Sequence, residues 1–126
     1  MSIALNHTPE IDRGAVLTKA AIRAADRLSI SGRTLAEVLG VSEAQISRFR
    51  TGATALTEHS KPFELAALLV RAFRSLEAIT GGDERVARAW LTAPNAALGA
   101  RPADRITSVQ GLADVVTYLD ARRAPI

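Results

Sequence analysis

The stretch "TLAEVLGVSEAQISRFRTG", Thr34–Gly52, sets two short helical patterns on either side of one Gly-Val step. Thr34 offers an N-cap hydroxyl, and Glu37 three residues on completes a capping box, in which two side chains satisfy the orphan amides of a helix start. Leu35, Ala36, Val38 and Leu39 follow, and Gly40 ends the helix. Ser42 and Gln45 repeat the device, so a second helix begins one residue after Val41 and ends near Thr51 and Gly52.

Two helices so joined meet the requirements of a helix-turn-helix, in which the first holds the second at a steep angle for entry into the major groove. Ala36 is the small residue at the crossing, Gly40 takes the left-handed turn, and Leu35, Leu39, Val41, Ile46 and Phe49 lock the angle. Turning the second helix by about 100° per residue puts Ser42, Ile46 and Phe49 on one side. Ala44, Ser47, Arg48 and Thr51 then lie on the other, a face nearly without acid. Arg48 suits guanine O6 and N7 or a phosphate, Ser47 suits either, and the Ala44 methyl suits a thymine methyl. Arg50 lies off this face and is a phosphate candidate, as are Ser42 and the amides at the helix start. Gln45 is either the capping partner of Ser42 or a base reader, and Glu43 complements the helix dipole. The alternative for the whole motif is a helix pair used only for packing.

Outward from the motif, residues 1–13 show no period and are expected to form a loose arm. Ala15–Leu28 carries a helical stripe through Val16, Ala20 or Ile22, and Leu28, and Gly32 breaks it. After the polar connector Thr54–Pro62, Leu65 or Ala66, Leu69, Phe73, Leu76 and Ile79 mark an amphipathic helix over Phe63–Ile79. Leu68 and Val70 widen its apolar face, which is therefore the expected contact of a homodimer. Gly81 and Gly82 end it, Asp83 caps a helix bearing Val86 and Trp90, and Pro94 stops that one. Ala93–Ile106 reads as a structured loop. Thr107 and Gln110 form a third capping box ahead of a stripe of Val109, Leu112, Val116 and Leu119, and Arg122–Ile126 reads as an exposed tail.

The 126 residues are 48% hydrophobic but 4% aromatic, so the core is built from Ala, Leu, Val and Ile, and the fold is expected to be all-α. With no cysteine, disulfides and thiolate chemistry are excluded, and the N-terminus has acid and proline where a secretory leader has a basic start. A cytoplasmic location without membrane association is expected. Net charge is only +3, yet 14 of the 16 basic residues are arginines, which favour two-pronged contacts with phosphate, guanine or carboxylate. His7 and His59 have no metal-ligand spacing and no nucleophile constellation or phosphate-cradling loop is present, so neither enzyme activity nor a cofactor is expected.

The second half carries "A-x-x-W-L" at Ala87–Leu91, "PNAALG" at Pro94–Gly99, "RPADRI" at Arg101–Ile106 and "GLADVVTYL" at Gly111–Leu119. In this order and spacing they resemble the toxin-binding domain of the Xre/MbcA/ParS antitoxin family. Together with the Xre-like "LAEVLGVSEAQISRFRTG", the resemblance covers most of residues 15–121. It implies an antitoxin that binds a RES-domain toxin, an enzyme acting on NAD, and that represses its own operon by binding operator DNA. A toxin–antitoxin hetero-oligomer follows, with a helix-turn-helix domain over residues 1–60 and a toxin-binding and dimerisation domain over 61–126. The resemblance maps toxin contact to Tyr118, Arg122, Arg123, Ala124, Pro125 and Ile126, while Trp90 reads as fold-defining. The chain departs from the family pattern at "LGA", Leu98–Ala100, and at Arg105-Ile106, and its tail is short. A stand-alone Xre-like repressor is the alternative, separated by whether a RES-type gene adjoins.

Overall fold

The computed structural model describes residues 11–123, which form seven helices. The first, α1 (Arg13–Arg27), is capped by Asp12, whose carboxylate accepts from the Ala15 amide at 3.0 Å. Its buried stripe is Gly14, Thr18, Ala21, Ala24 and Ala25, whereas Val16, expected on the apolar stripe, is 59% exposed. Close approach is the reason. A Cβ on Gly14 would lie 2.0 Å from the Leu56 carbonyl oxygen. The buried Thr18 hydroxyl donates to the Gly14 carbonyl at 2.6 Å and accepts from the Leu56 amide at 2.9 Å. Only small residues fit where the connector presses on α1.

Helix α2 (Gly32–Leu39) starts earlier than expected, because Ser31 and not Thr34 caps it, its Oγ accepting from the Thr34 amide at 3.1 Å. Gly32 therefore lies inside α2, Glu37 closes no capping box, and the break after α1 is made by Ser29 at φ 56°. There the Ile30 amide donates back to the Ala25 carbonyl at 2.8 Å, and Ile30 is buried. That is the Schellman arrangement, in which a left-handed residue lets the next apolar one return to the core.

Gly40, at φ 71°, turns the chain into α3 (Glu43–Thr51), which Ser42 caps by accepting from the Gln45 amide at 3.0 Å. The 20-residue α4 (Lys61–Thr80) has Ser60 as its cap and Pro62 in its first turn. It packs against α7 and α1 most extensively, and against α2 and α5. The broad apolar face expected to meet a second copy is thus covered mainly by the chain's own helices.

Asp83 caps α5 (Glu84–Thr92) by accepting from the Arg85 and Val86 amides. The stretch expected as loop holds an antiparallel bridge between Asn95 and Ala100 and a single helical turn, α6 (Pro102–Arg105). Helix α7 (Val109–Arg123) begins behind Ser108, whose Oγ accepts from the Gly111 amide at 3.1 Å. Thr107 donates instead to the Asp104 carbonyl and Gln110 to Asp114, so the expected third capping box is not formed. Val109 is 61% exposed, and the buried stripe is Leu112, Val115, Val116 and Leu119. A Cβ on Gly111 would lie 1.9 Å from the Arg105 carbonyl oxygen, so α7 can reach α6 only with glycine there. One hydrophobic cluster runs from Ala21 to Leu119. Among the described residues, no helix is long and apolar enough to cross a membrane.

Gly14→Ala and Gly111→Ala should each lower stability by about 1–3 kcal/mol in urea unfolding, through overpacking against backbone that cannot yield. Gly32→Ala, whose Cβ meets only Ile46 Cγ2 at 3.8 Å, should leave stability unchanged or raise it by up to about 1 kcal/mol. Equal losses at all three positions would show that the close approaches are not what the two glycines serve. Ser31→Ala should cost roughly 1 kcal/mol and Thr34→Ala clearly less; the reverse order would return the cap to Thr34.

Candidate DNA-reading and partner-binding sites

The angle between α2 and α3 is held by Leu35, Ala36, Leu39, Ile46 and Phe49, all buried, with Val41 half-buried beside them. Behind the turn, the Val41 amide donates to the Ala36 carbonyl at 3.0 Å. These are the residues the spacing assigns to the lock.

Ser42, Ala44, Ser47, Arg48 and Thr51 are exposed on α3, with Glu43 at the helix start and Gln45 half-buried. Gln45 does not return to Ser42. Its Oε1 accepts from Arg48 Nε and Nη2 at 3.1 and 2.6 Å, and its Nε2 donates to Thr54 Oγ1 at 3.2 Å. Gln45, braced in turn by Thr54, therefore holds the Arg48 guanidinium by one edge. The end-on pair, Nη1 and the second proton of Nη2, is left for a two-acceptor target such as guanine O6 and N7. Thr51 Oγ1 donates to the Arg48 carbonyl at 3.2 Å and accepts from the Ala53 amide at 3.3 Å, which places it in the helix end.

Arg50 faces elsewhere. It grips Asp26 of α1 with both nitrogens, Nη2 to Oδ1 at 2.9 Å and Nη1 to Oδ2 at 3.2 Å. Those hydrogen bonds raise its pKa above the ordinary value and tie α3 to α1, with the charge largely compensated. Asp26 and Thr54 thus orient the α3 arginines, and neither was foreseen from the sequence. Asp26 lies 24 residues from its partner, and Thr54 sits in a connector whose polarity reads as loop.

In the second half, Arg122 and Arg123 belong to the last turn of α7 and not to a loose tail. Trp90 of α5 stacks on Tyr118 of α7, with ring centroids 5.9 Å apart and planes at 27°. The Arg122 guanidinium lies 3.6 Å from the Tyr118 centroid on the same helix. Half-buried tryptophan and tyrosine so join α5 to α7, with the exposed Arg122 laid over the tyrosine ring, an aromatic contact reinforced by cation–π attraction. Arg123 turns toward α4, where its Nη1 donates to Ser75 Oγ at 3.5 Å. The fully buried Ser75 hydroxyl donates to Asp120 Oδ1 at 3.0 Å, and Asp120 also pairs with Arg71. Ala124, Pro125 and Ile126 lie outside the described residues. Among the described residues, no cluster of His, Cys, Asp or Glu has the arrangement to hold a metal ion.

Comparison with protein families places an antitoxin Xre-like helix-turn-helix domain over residues 9–76. An antitoxin Xre/MbcA/ParS C-terminal toxin-binding domain matches residues 75–124. The two meet inside α4, at Ser75 and Leu76. A comparison with curated proteins returned no match. With a locked turn, an open α3 face and both family regions following one another along the chain, this protein belongs to the Xre/MbcA/ParS family of antitoxins.

Proposed function

We propose that this antitoxin neutralises a RES-type, NAD-consuming or ADP-ribosylating toxin by direct binding, and represses its own operon through α3. The observation that carries the reading is Arg48, held by Gln45 and Thr54 at the open face of α3 in a chain that also carries a toxin-binding domain. An arginine fixed before binding gives up less side-chain entropy when it meets a base edge or phosphate. Ser47 and Ala44 flank it, Ser42 and the remaining α3 amides are assigned to a phosphate, and Thr51 sits at the far end of the same face. One short helix supplies few base contacts, so a homodimer on an inverted repeat is part of the proposal.

The toxin contact is proposed for the end of α7, around Tyr118, Arg122 and Arg123 and on through Ala124, Pro125 and Ile126. Arginine forks suit the polar groups of a cleft that accepts a phosphate-bearing dinucleotide. The assembly is proposed as cytoplasmic, a toxin–antitoxin hetero-oligomer that sits on operator DNA. The division into a DNA-binding part over residues 1–60 and a toxin-binding and dimerisation part over 61–126 is retained as a functional one, with α4 common to both packing environments.

In anisotropy titrations on the chain's own upstream DNA, Arg48→Ala should cost about 1–3 kcal/mol, and Gln45→Ala less, since it only loosens the arginine. Log affinity should fall linearly with log salt. Wild-type binding that ignores both sequence and salt would remove the repressor role. In a co-expression growth assay with the adjacent toxin gene, deleting residues 122–126 should abolish protection, and Arg122→Ala should weaken it. Full protection by the truncated chain would move the toxin contact off the end of α7.

A further inference from the structure

Three of the exposed large hydrophobics sit on one continuous surface that neither α3 nor the Trp90 stack uses. A groove of about 540 Å³ runs between α1, α4 and the end of α7, floored by Phe63 and Val70, with Ile11 and Val16 at its lip. Ile11 is 78% and Val16 59% exposed, so the core formed by the described residues covers neither. A second depression shares Phe63, Ala67 and Arg71 with the first and extends the apolar strip to Val109, 61% exposed.

The edge of the first groove is cationic, while the second carries the paired Lys61 and Glu64. Arg71, Arg74 and Arg123 line the first groove with Arg13, and Arg74 has no hydrogen bond or ion pair among the described residues. Asp120 engages Arg71, and Glu58 reaches Arg13 only at 3.8 Å with the arginine side chain 73% exposed. Apolar floor plus arginine rim selects among occupants. A second copy laid face to face would bring arginine rims together, and duplex DNA offers phosphates to the rim but little to Val16 and Phe63. An amphipathic segment with carboxylates beside its apolar residues satisfies both.

We infer that the groove formed by Val16, Phe63 and Val70 and rimmed by Arg74 and Arg123 is a second docking surface for the toxin, receiving an acidic, amphipathic segment of it. This rests on the toxin-binding reading above and extends it from α7 onto α1. Continuity supports that occupant: Arg123 lies within the toxin-binding region and Arg74 one residue before it, while Ile11 and Val16 belong to the helix-turn-helix region. Toxin seated here would touch α1, the helix whose Asp26 holds Arg50 of α3.

The test is calorimetric titration of the full chain with the purified product of the adjacent toxin gene, at salt from about 50 to about 300 mM. Val16→Asp and Arg74→Glu, both at solvent-facing positions, should keep the circular-dichroism spectrum and each weaken binding by about tenfold or more. Arg74→Lys should stay within about threefold, Arg33→Glu on α2 should match wild type, and wild-type affinity should fall with salt. Wild-type binding with both groove variants within about twofold of it would overturn the second surface and leave the antitoxin reading standing. A groove variant that changes the chain's own mass in light scattering would make a second copy the occupant and overturn it as well. No binding by wild type at all would end both readings.

Discussion

Helix α4 is covered by α1 and α2 on the side of the helix-turn-helix and by α5 and α7 on the other, and this double burial is what makes a chain of short helices into a fold. Its 20 residues are the longest element, and Leu65, Ala66, Leu69, Val70, Ala72, Ser75 and Leu76 are all withdrawn from water. Each buried leucine removed from solvent contributes roughly 1.5–3 kcal/mol, more than any single surface ion pair here. The other helices run 4–15 residues, and those near ten or fewer are marginal in isolation, so α2, α3, α5 and α6 exist because a neighbour completes them. The angle of α3 is thus fixed at two removes: α4 supports α1 and α2, and they support α3.

The polar side of the structure orients more than it stabilises. Arg27 pairs with Glu77 and Glu84, Arg101 with Asp104, Arg105 with Asp114, and Arg50 with Asp26, mostly at exposed or half-exposed positions. Such pairs are individually worth about 0–1 kcal/mol. Their value lies in geometry. The Arg27 carbonyl also accepts from Arg88, so the end of α1 is tied to α5 from both its side chain and its backbone. Arg48 differs in taking a neutral amide as its partner, which fixes direction without cancelling charge.

Helix periods, the Gly40 turn, the Ser42 cap and the Ile46–Phe49 lock were legible in the sequence, because each depends on residues within one or two turns. The N-caps of α2 and α7 were not. Ser31 competes with Thr34, and Ser108 with Thr107, and local pattern cannot separate hydroxyls so close together. The choice at α2 is made by Ile30 returning to the core through the left-handed Ser29. Val16 misled for a related reason: its spacing suits a stripe, but the connector at Leu56 demands Gly14 and Thr18 on the inward side. In the candidate sites, exposure of Ser47 and Arg48 followed from angular position alone. The off-face position of Arg50 followed in the same way, but its pairing with Asp26 did not, since that partner comes from another helix, and neither did the Trp90–Tyr118–Arg122 stack, which joins two helices across 28 residues of sequence at its closest aromatic pair.

One apolar cluster extends from α1 to α7 and α4 spans the junction of the two family regions, so among the described residues the boundary between the halves is itself packed core. Local opening is cheapest where few apolar contacts cross a boundary, and here the boundary is a buried helix. Proteolysis at any of these helices would therefore draw on the unfolding equilibrium of the described helices together, so that its rate is set by global stability and slowed by any ligand that binds the folded form. In such a design the lifetime of the helix-turn-helix region and that of the toxin-binding region are a single quantity.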